Sequence, residues 1–303
     1  MKFKKLFILV FLFSFLFLLP CCHATSYPGE PTLVHKISTA EDLKKIGTEW
    51  PLNDAYDLES DIIIDSDTWT CIGNFDTPFV GMFEGAGYSI IFEGDISFVQ
   101  TSDLENEFDG YGFFGNTGGA AKIWNLTLVF NGNIANSQNN NVGTLVGVMN
   151  NGTEVNFNPS YILNCSVKGN GSAIYGKNNV GGFVGTVFDG AIDSSSSDII
   201  VFANEQNAGG FIGYIDTGNI SNCSAIGASQ SNNSQNKFIG GLNENNSYTD
   251  YNNSYNVVNY PEYPQTEEIV CYEYNLRPLV FALILLIVII IIGAVWYFKN
   301  RKT

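Results

Sequence analysis

Histidine and arginine are scarce in this chain. Only His23 and His35 occur, and no arginine precedes Arg277. A Ser–His–Asp triad needs a histidine base beside a presented serine, and no G-x-S-x-G elbow exists. H-E-x-x-H is missing too, which excludes a zincin. The glycine-rich stretches lack the Lys-Ser/Thr that completes a phosphate-binding P-loop. Seven lysines against 30 acidic residues leave residues 25–276 at −23. Such a surface repels nucleic acid and anionic membrane, so neither is an expected partner of this segment. Cysteine is sparse as well: after Cys21 and Cys22 come only Cys71, Cys165, Cys223 and Cys271.

Long apolar runs occur only at the two ends. Residues 1–5 carry three lysines, 6–19 are almost wholly apolar, and small residues near Ala24 suit a cut. This reads as a signal peptide over 1–24. A lipoprotein cut before Cys21 is the rival reading, but Pro20 stands where a small residue is needed. Residues 279–298 hold no charge and no proline. Twenty helical residues cover about 30 Å, the thickness of the hydrocarbon layer. Trp296 and Tyr297 sit where an aromatic belt belongs, and basic residues follow at 299–302. The expected topology is one C-terminal transmembrane helix, residues 25–276 outside and a cytoplasmic tail of 299–303.

Between these ends, Ser38 and Glu41 have capping-box spacing, and Leu43 and Ile46 follow at helical spacing. They predict a short helix over 39–46. Thereafter the chain is apolar strand-like runs punctuated by glycine and asparagine. Self-similarity organises them. NVGTLVG at 141–147, NVGGFVG at 179–185 and NAGGFIG at 207–213 are one motif. Weaker copies are GYGFFG at 110–115, FIGGL at 238–242 and, weakest, FVGMFEG at 79–85. A second motif trails it: IWNLTLVF at 123–130, ILNCSV at 162–167, IDSSSSDIIV at 192–201 and ISNCSA at 220–225. The gap from glycine to isoleucine is seven or eight residues in three copies. It is fifteen in the copy carrying an insertion near 150–159.

These ordered motifs resemble the GLUG-motif repeat of bacterial and archaeal surface proteins, including adhesin-like proteins of methanogenic archaea. The lead-in ISTAEDLKKI, then WTCIG and PFVGMFEGAGYSI, is similar as well. The resemblance covers roughly 37–245. Two departures stand out: Thr144 replaces a motif glycine, and Asp193-Ser194-Ser195 replaces an Asn-Cys pair.

A repeat unit of this kind cannot bury its apolar side alone, and stacking supplies the core. The expectation is an all-β, right-handed parallel β-solenoid (β-helix) over 25–242, followed by an Asn/Tyr/Pro-rich spacer over 243–276 with room for a last strand at 255–258. The structural repeat residues are Gly143, Gly147, Gly181, Gly182, Gly185, Gly209, Gly210 and Gly213, with Asn125, Asn164 and Asn222 at a corner beside Ser194. In the second motif the isoleucine is one residue out of phase with the alternation after the asparagine. A bend at the asparagine would absorb that shift. Cys165 and Cys223 fall at equivalent sites two coils apart, about 9–10 Å at sheet spacing. That exceeds disulfide reach, so both are expected as buried thiols.

Asn-x-Ser/Thr sequons begin at Asn125, Asn151, Asn164, Asn170, Asn219, Asn222, Asn232, Asn245 and Asn252. The repeat corner already accounts for Asn125, Asn164 and Asn222. Asn245 and Asn252, in an open stretch, are the better glycosylation acceptors. Asp61 and Asp65 share a strand face and could touch Ca²⁺, and Asp103, Glu105, Glu107 and Asp109 form an acidic run. A solvated loop explains these acids more simply. No catalytic, cofactor-binding or metal residue is assigned. The expected function is that of a membrane-anchored, non-catalytic surface protein acting in adhesion, envelope structure or glycan contact. Its partners would be the membrane it spans and surface glycans or proteins of neighbouring cells. The alternative is a polysaccharide lyase or hydrolase on a β-helix scaffold.

Overall fold

The computed structural model describes residues 33–101, 106–150, 159–243 and 248–258. Residues 1–24, the apolar run 279–298 and residues 299–303 lie outside them. Among the described residues no helix is long and apolar enough to cross a membrane.

The strand-like runs become parallel strands in three main sheets. The first takes Val34–Ile37, Ala55–Leu58, Met82–Glu84, Lys122–Trp124, Tyr161–Leu163, Ala191–Asp193, Gly218–Ser221 and Tyr248–Tyr251, neighbours in that order. The main path of the second runs from Ile62–Ile64 through Ser89–Phe92, Thr127–Phe130, Ser166–Gly181, Ser196–Gly209 and Ser224–Gly227 to Ser254–Val257. The third holds Phe114–Thr117, Val146–Met149, Val184–Val187, Ile212–Ile215 and Ile239–Leu242. Order in space equals order in the chain, with strands of the other sheets between. The chain therefore winds, and each turn lays its strands on those of the turn before. This is a parallel β-solenoid.

Register turns the repeats into rows. Ile123, Ile162, Ile192 and Ile220 stack and are buried. Phe183 stacks on Phe211 at 4.6 Å, and Phe211 on Phe238 at 4.9 Å. Stacked pairs of this kind add about 0.5–1.5 kcal/mol each beyond their burial. Toward the N-terminal end the core is a cluster of rings. Trp69 lies on Phe113 at 5.1 Å, and Phe92 on Phe130 at 4.8 Å.

The corner between the first and second sheets follows the phase of the sequence. Asn125, Asn164, Ser194, Asn222 and Asn252 have φ of 53, 51, 52, 53 and 55°, the left-handed region. Asparagine tolerates it because its short amide bonds locally. The amides also bond along the row: Asn164 Nδ2 donates to Asn125 Oδ1 at 2.7 Å, and Asn252 Nδ2 to Asn222 Oδ1 at 3.0 Å. Ser194 is too short to continue it, and Asp193 takes over. Its Oδ1 accepts from Asn222 Nδ2 at 2.8 Å and Ser221 Oγ at 2.7 Å. Those donors hold the Asp193 carboxyl below its ordinary pKa. The departure from Asn-Cys in this repeat is thus compensated within the repeat.

After the corner, Leu126, Cys165, Ser195 and Cys223 point inward and are buried. Ser195 lies between the two cysteines, its Oγ accepting from Cys165 N at 3.1 Å. Cys71, Cys165 and Cys223 are free thiols. Burial pushes Cys71 and Cys165 up to about 12 and Cys223 up to about 11. Cys271 lies outside the described residues.

Four expectations are corrected. The helix is Ala40–Lys44, and its cap is Thr39 with Asp42, not Ser38 with Glu41. Both spacings exist in the sequence. The chosen one lets Asp42 accept from the Ser38 and Thr39 amides and from Lys45 Nζ at 2.9 Å. His35 sits in the first strand, 2.8 Å from Asp54 Oδ2 and stacked on Trp50 at 4.4 Å. FVGMFEG is not a glycine-motif copy. Its Met82–Glu84 strand pairs with Lys122–Trp124, while Ile72 bridges Phe114, so Cys71-Ile72-Gly73 is the earlier equivalent. The solenoid does not stop at 242. Tyr248–Tyr251 and Ser254–Val257 add another turn, because Asn252-Asn253-Ser254 repeats Asn222-Cys223-Ser224. Asn252 accordingly lies at a corner rather than in an open stretch, and it remains exposed; Asn245 lies outside the described residues.

Two outcomes follow. Asn164→Ala loses the amide bond and forces a Cβ residue into the left-handed region, so denaturation should show a loss of about 2 kcal/mol. Asn164→Gly, which loses only the bond, should cost about 1 kcal/mol or less; equal costs would refute the corner strain. Iodoacetamide at pH 8 should leave Cys71, Cys165 and Cys223 unmodified in the folded protein and alkylate all three in urea, read by peptide mass mapping.

Candidate binding groove

The glycine motif lies where the second sheet hands over to the third. Its glycines act through close approach of backbone to backbone. None of Gly143, Gly147, Gly181, Gly182, Gly185, Gly209, Gly210 and Gly213 has φ in the left-handed region. A Cβ on Gly185 would fall 2.6 Å from Gly147 O and 2.5 Å from Asn141 C, and one on Gly213 would fall 2.6 Å from Gly185 O. One on Gly182 would strike the Gly210 carbonyl oxygen and lie 2.6 Å from Ser197 Oγ. Gly143, Gly147, Gly181 and Gly209 face backbone of the same or the adjoining turn equally closely, and Gly210 faces the Tyr255 ring.

Thr144 explains itself in this setting. It occupies the position of Gly182 one turn earlier, is fully buried, and its Oγ1 donates to Gly182 O at 2.6 Å. Ser197 Oγ donates to the same oxygen at 2.9 Å. The substitution for glycine thus supplies a cross-turn hydrogen bond.

The first letter of the motif builds a second amide row, which the sequence reading passed over. Asn141, Asn179 and Asn207 have φ of 53, 55 and 61°. Asn207 Nδ2 donates to Asn179 Oδ1 at 2.8 Å, and Asn179 Nδ2 to Asn141 Oδ1 at 3.0 Å. Asn233 Nδ2 donates to Asn207 Oδ1 at 2.9 Å. The quoted motifs NVG, NVG and NAG carried the signal: an asparagine at one fixed place in each turn. One residue earlier, Asn178 Nδ2 reaches Asn140 Oδ1 at 3.1 Å and Glu205 Oε2 at 2.8 Å.

These rows form one wall of a groove of about 470 Å³. Thr186 and Tyr214, paired across the third sheet, with Phe188 and Phe108 supply apolar and hydroxyl surface, and Glu107 and Glu205 also line it. Phe108 is 42% exposed and stacks on Phe75 at 5.5 Å. Burial and the nearby Asp216 push the Tyr214 phenol above its ordinary pKa. The rows meet because the motif glycines have no side chain: a Cβ on Gly213 would run into Asn179 C and lie 2.5 Å from Val180 N.

Of the acids singled out in sequence, Glu107 alone among the described residues lines this groove. Asp61 Oδ1 accepts from Ser89 N at 2.8 Å, and buried Asp109 accepts from Phe75 N and Asn106 N at 3.2 Å each. Asp103 and Glu105 lie outside the described residues. Among the described residues no group of three or more His, Cys, Asp or Glu is placed to hold a metal ion.

A family model described as "The GLUG motif" matches residues 204–229. The chain carries a GLUG motif. The matched GLUG stretch spans Asn207, the Gly209-Gly210-Phe211 turn and the Asn222 corner, so the motif amounts to one turn of this solenoid with both its asparagine corners. No curated protein matches the sequence. Among solved structures, a Bacteroides ovatus protein provisionally assigned as an immunoglobulin A1 protease is similar. It is 18% identical, with 77% of this chain and 69% of that one covered and a TM-score of 0.53. At that identity the likeness concerns the fold alone.

Gly182→Val should lower both soluble yield and melting temperature, since overpacking of this kind costs about 1–3 kcal/mol. Thr144→Gly should cost about 1 kcal/mol through the lost hydrogen bond. A melting curve unchanged by Gly182→Val would refute the close-approach account of the motif.

Proposed function

We propose that this chain is a membrane-anchored cell-surface repeat protein that acts without catalysis, in adhesion, envelope structure or glycan contact. The observation that carries this reading is the placement of a GLUG-bearing solenoid between a leader-like 1–24 and the uncharged run 279–298. Its coils are taken as right-handed, the sense that parallel crossovers adopt. The solenoid is the part that meets other molecules. The residues after it tether it to lipid, and 299–303 face the cytoplasm. The groove supports a binding role, since its wall is built of amides and rings.

The second reading, a polysaccharide-processing enzyme, draws on the presence of both Glu107 and Glu205 along that groove. A pair of carboxylates is what glycoside hydrolysis requires.

Cells producing the full chain, treated with a membrane-impermeant amine reagent, should carry label on lysines of 36–237 and none on Lys299 or Lys302. Label on the tail lysines alone would overturn the topology. The purified chain incubated with polysaccharides should release no reducing ends or unsaturated products; release that is lost in Glu107→Gln or Glu205→Gln would overturn the non-catalytic role in favour of the second reading.

A further inference from the structure

We propose that the groove along Asn179 and Asn207 binds an extended, uncharged glycan, its sugar rings placed against Tyr214, Phe188 and Phe108. This rests on the surface-protein reading above and assigns it a site and a ligand class.

The amides carry the first part of the argument. A carboxamide offers two N–H groups and two lone pairs. Asn179 spends one N–H on Asn141 and one lone pair on Asn207, and Asn207 spends one N–H on Asn179 and one lone pair on Asn233. Each therefore retains one donor and one acceptor. A sugar hydroxyl is also both donor and acceptor, so each rung can serve one hydroxyl both ways. Asn141 differs: its amide already meets Glu107 O, Asp109 O, Asn179 and Thr186. It anchors the row rather than receiving ligand.

Spacing carries the second part. Successive rungs repeat at the strand separation of about 4.8 Å, comparable to the advance of one pyranose residue in an extended chain. A glycan lying along the solenoid axis would thus present successive sugars to successive rungs. The row is also rigid before binding, because each amide is held by the next, and a preorganised wall loses little entropy on contact.

The rings and the charge fix the class. Ligand sites pair apolar and aromatic surface with a few placed polar groups, and the axial C–H faces of a pyranose are the apolar surface that such rings cover. The lining includes Glu107 and Glu205 and no lysine or arginine. The Lys177 ammonium lies 3.9 Å from Glu205 Oε1, leaving Glu107 as the lining carboxylate without an ion pair among the described residues. Uronate and sialylated chains would meet repulsion there, whereas a neutral chain would not. The contrast with a second groove is informative. That one, about 410 Å³ at the Asn125 and Asn164 corner, is lined by amides, hydroxyls and small residues without an aromatic ring. It provides an internal control.

The full chain, held in a detergent without a sugar headgroup, is titrated calorimetrically with cellohexaose, xylohexaose, mannohexaose, chitohexaose and hexagalacturonic acid. At least one neutral hexamer should bind. That binding should weaken at least tenfold in Tyr214→Ala and in Asn179→Gly, which keeps the left-handed backbone accessible, and should be unchanged in Asn164→Gly. Hexagalacturonic acid should bind at least tenfold more weakly than the neutral ligand. Thermal melting verifies that each variant is folded. Binding unchanged in both groove variants, binding lost only in Asn164→Gly, or tighter binding of the acidic hexamer would overturn the assignment. A chain labelled from outside that binds none of the neutral hexamers would overturn the groove and leave the surface reading standing. Label confined to the tail lysines would overturn that reading by itself.

Discussion

Everything in this molecule answers to one constraint, the separation of about 4.8 Å between hydrogen-bonded parallel strands. Each turn must present at every position a residue that tolerates its own near-equivalent directly above and below. Isoleucine on isoleucine, phenylalanine on phenylalanine and glycine against backbone all satisfy that requirement. A like charge on a like charge would not, and the interior rows named above contain no charge. Stability then accrues turn by turn, as in other quasi-one-dimensional proteins, along one continuous core that each turn extends.

The corners show how a small term decides a shape. A left-handed residue costs about 1–2 kcal/mol in an ordinary L-amino acid, and one amide-to-amide hydrogen bond returns about 1 kcal/mol. Asparagine reduces the first and supplies the second, so a column of asparagines is near neutral in energy. What the column adds is register. A slip of one residue would put an amide against an inward aliphatic side chain and expose the isoleucine row, at a cost summed over every turn. Ser194 with Asp193 shows that the row needs an acceptor near each rung more than it needs the asparagine itself.

The repeating part of this logic was legible in the sequence. Two motifs in fixed order gave the parallel stack, the phase shift gave the corner at Asn125, Asn164 and Asn222, and the two-turn offset of Cys165 and Cys223 gave unpaired thiols. The edges were less so. At the N-terminal end, Ser38 and Thr39 offer two overlapping capping boxes, each with a lysine three residues after its acid, so spacing alone does not separate Ser38–Glu41 from the Thr39–Asp42 box that forms. At the far end, Asp250 stands where the four preceding turns have isoleucine, so the last turn lacks the apolar letter that marks a strand. The groove was hidden for a different reason. Asn179 and Tyr214 are distant in sequence and belong to different turns, and they share a wall only because Gly213 lets the two backbones meet.

That last point links the motif to what the surface can do. A glycine turn is ordinarily read as local, a place where the chain bends. Here it acts at a distance: by removing a side chain between two sheets, it brings the amide edge of one beside the hydroxyl and ring edge of the other. The same letters repeat in each turn, so the juxtaposition repeats too. A groove made this way lengthens with each added turn while its floor stays invariant, and its character is set by the outward residues of each turn. Thr186 and Tyr214 occupy the same row yet differ in size and chemistry. The invariant glycines make the groove; the variable residues beside them set what fits it. Repeat proteins generally divide their sequence this way, between stacking positions that must agree and face positions free to diverge.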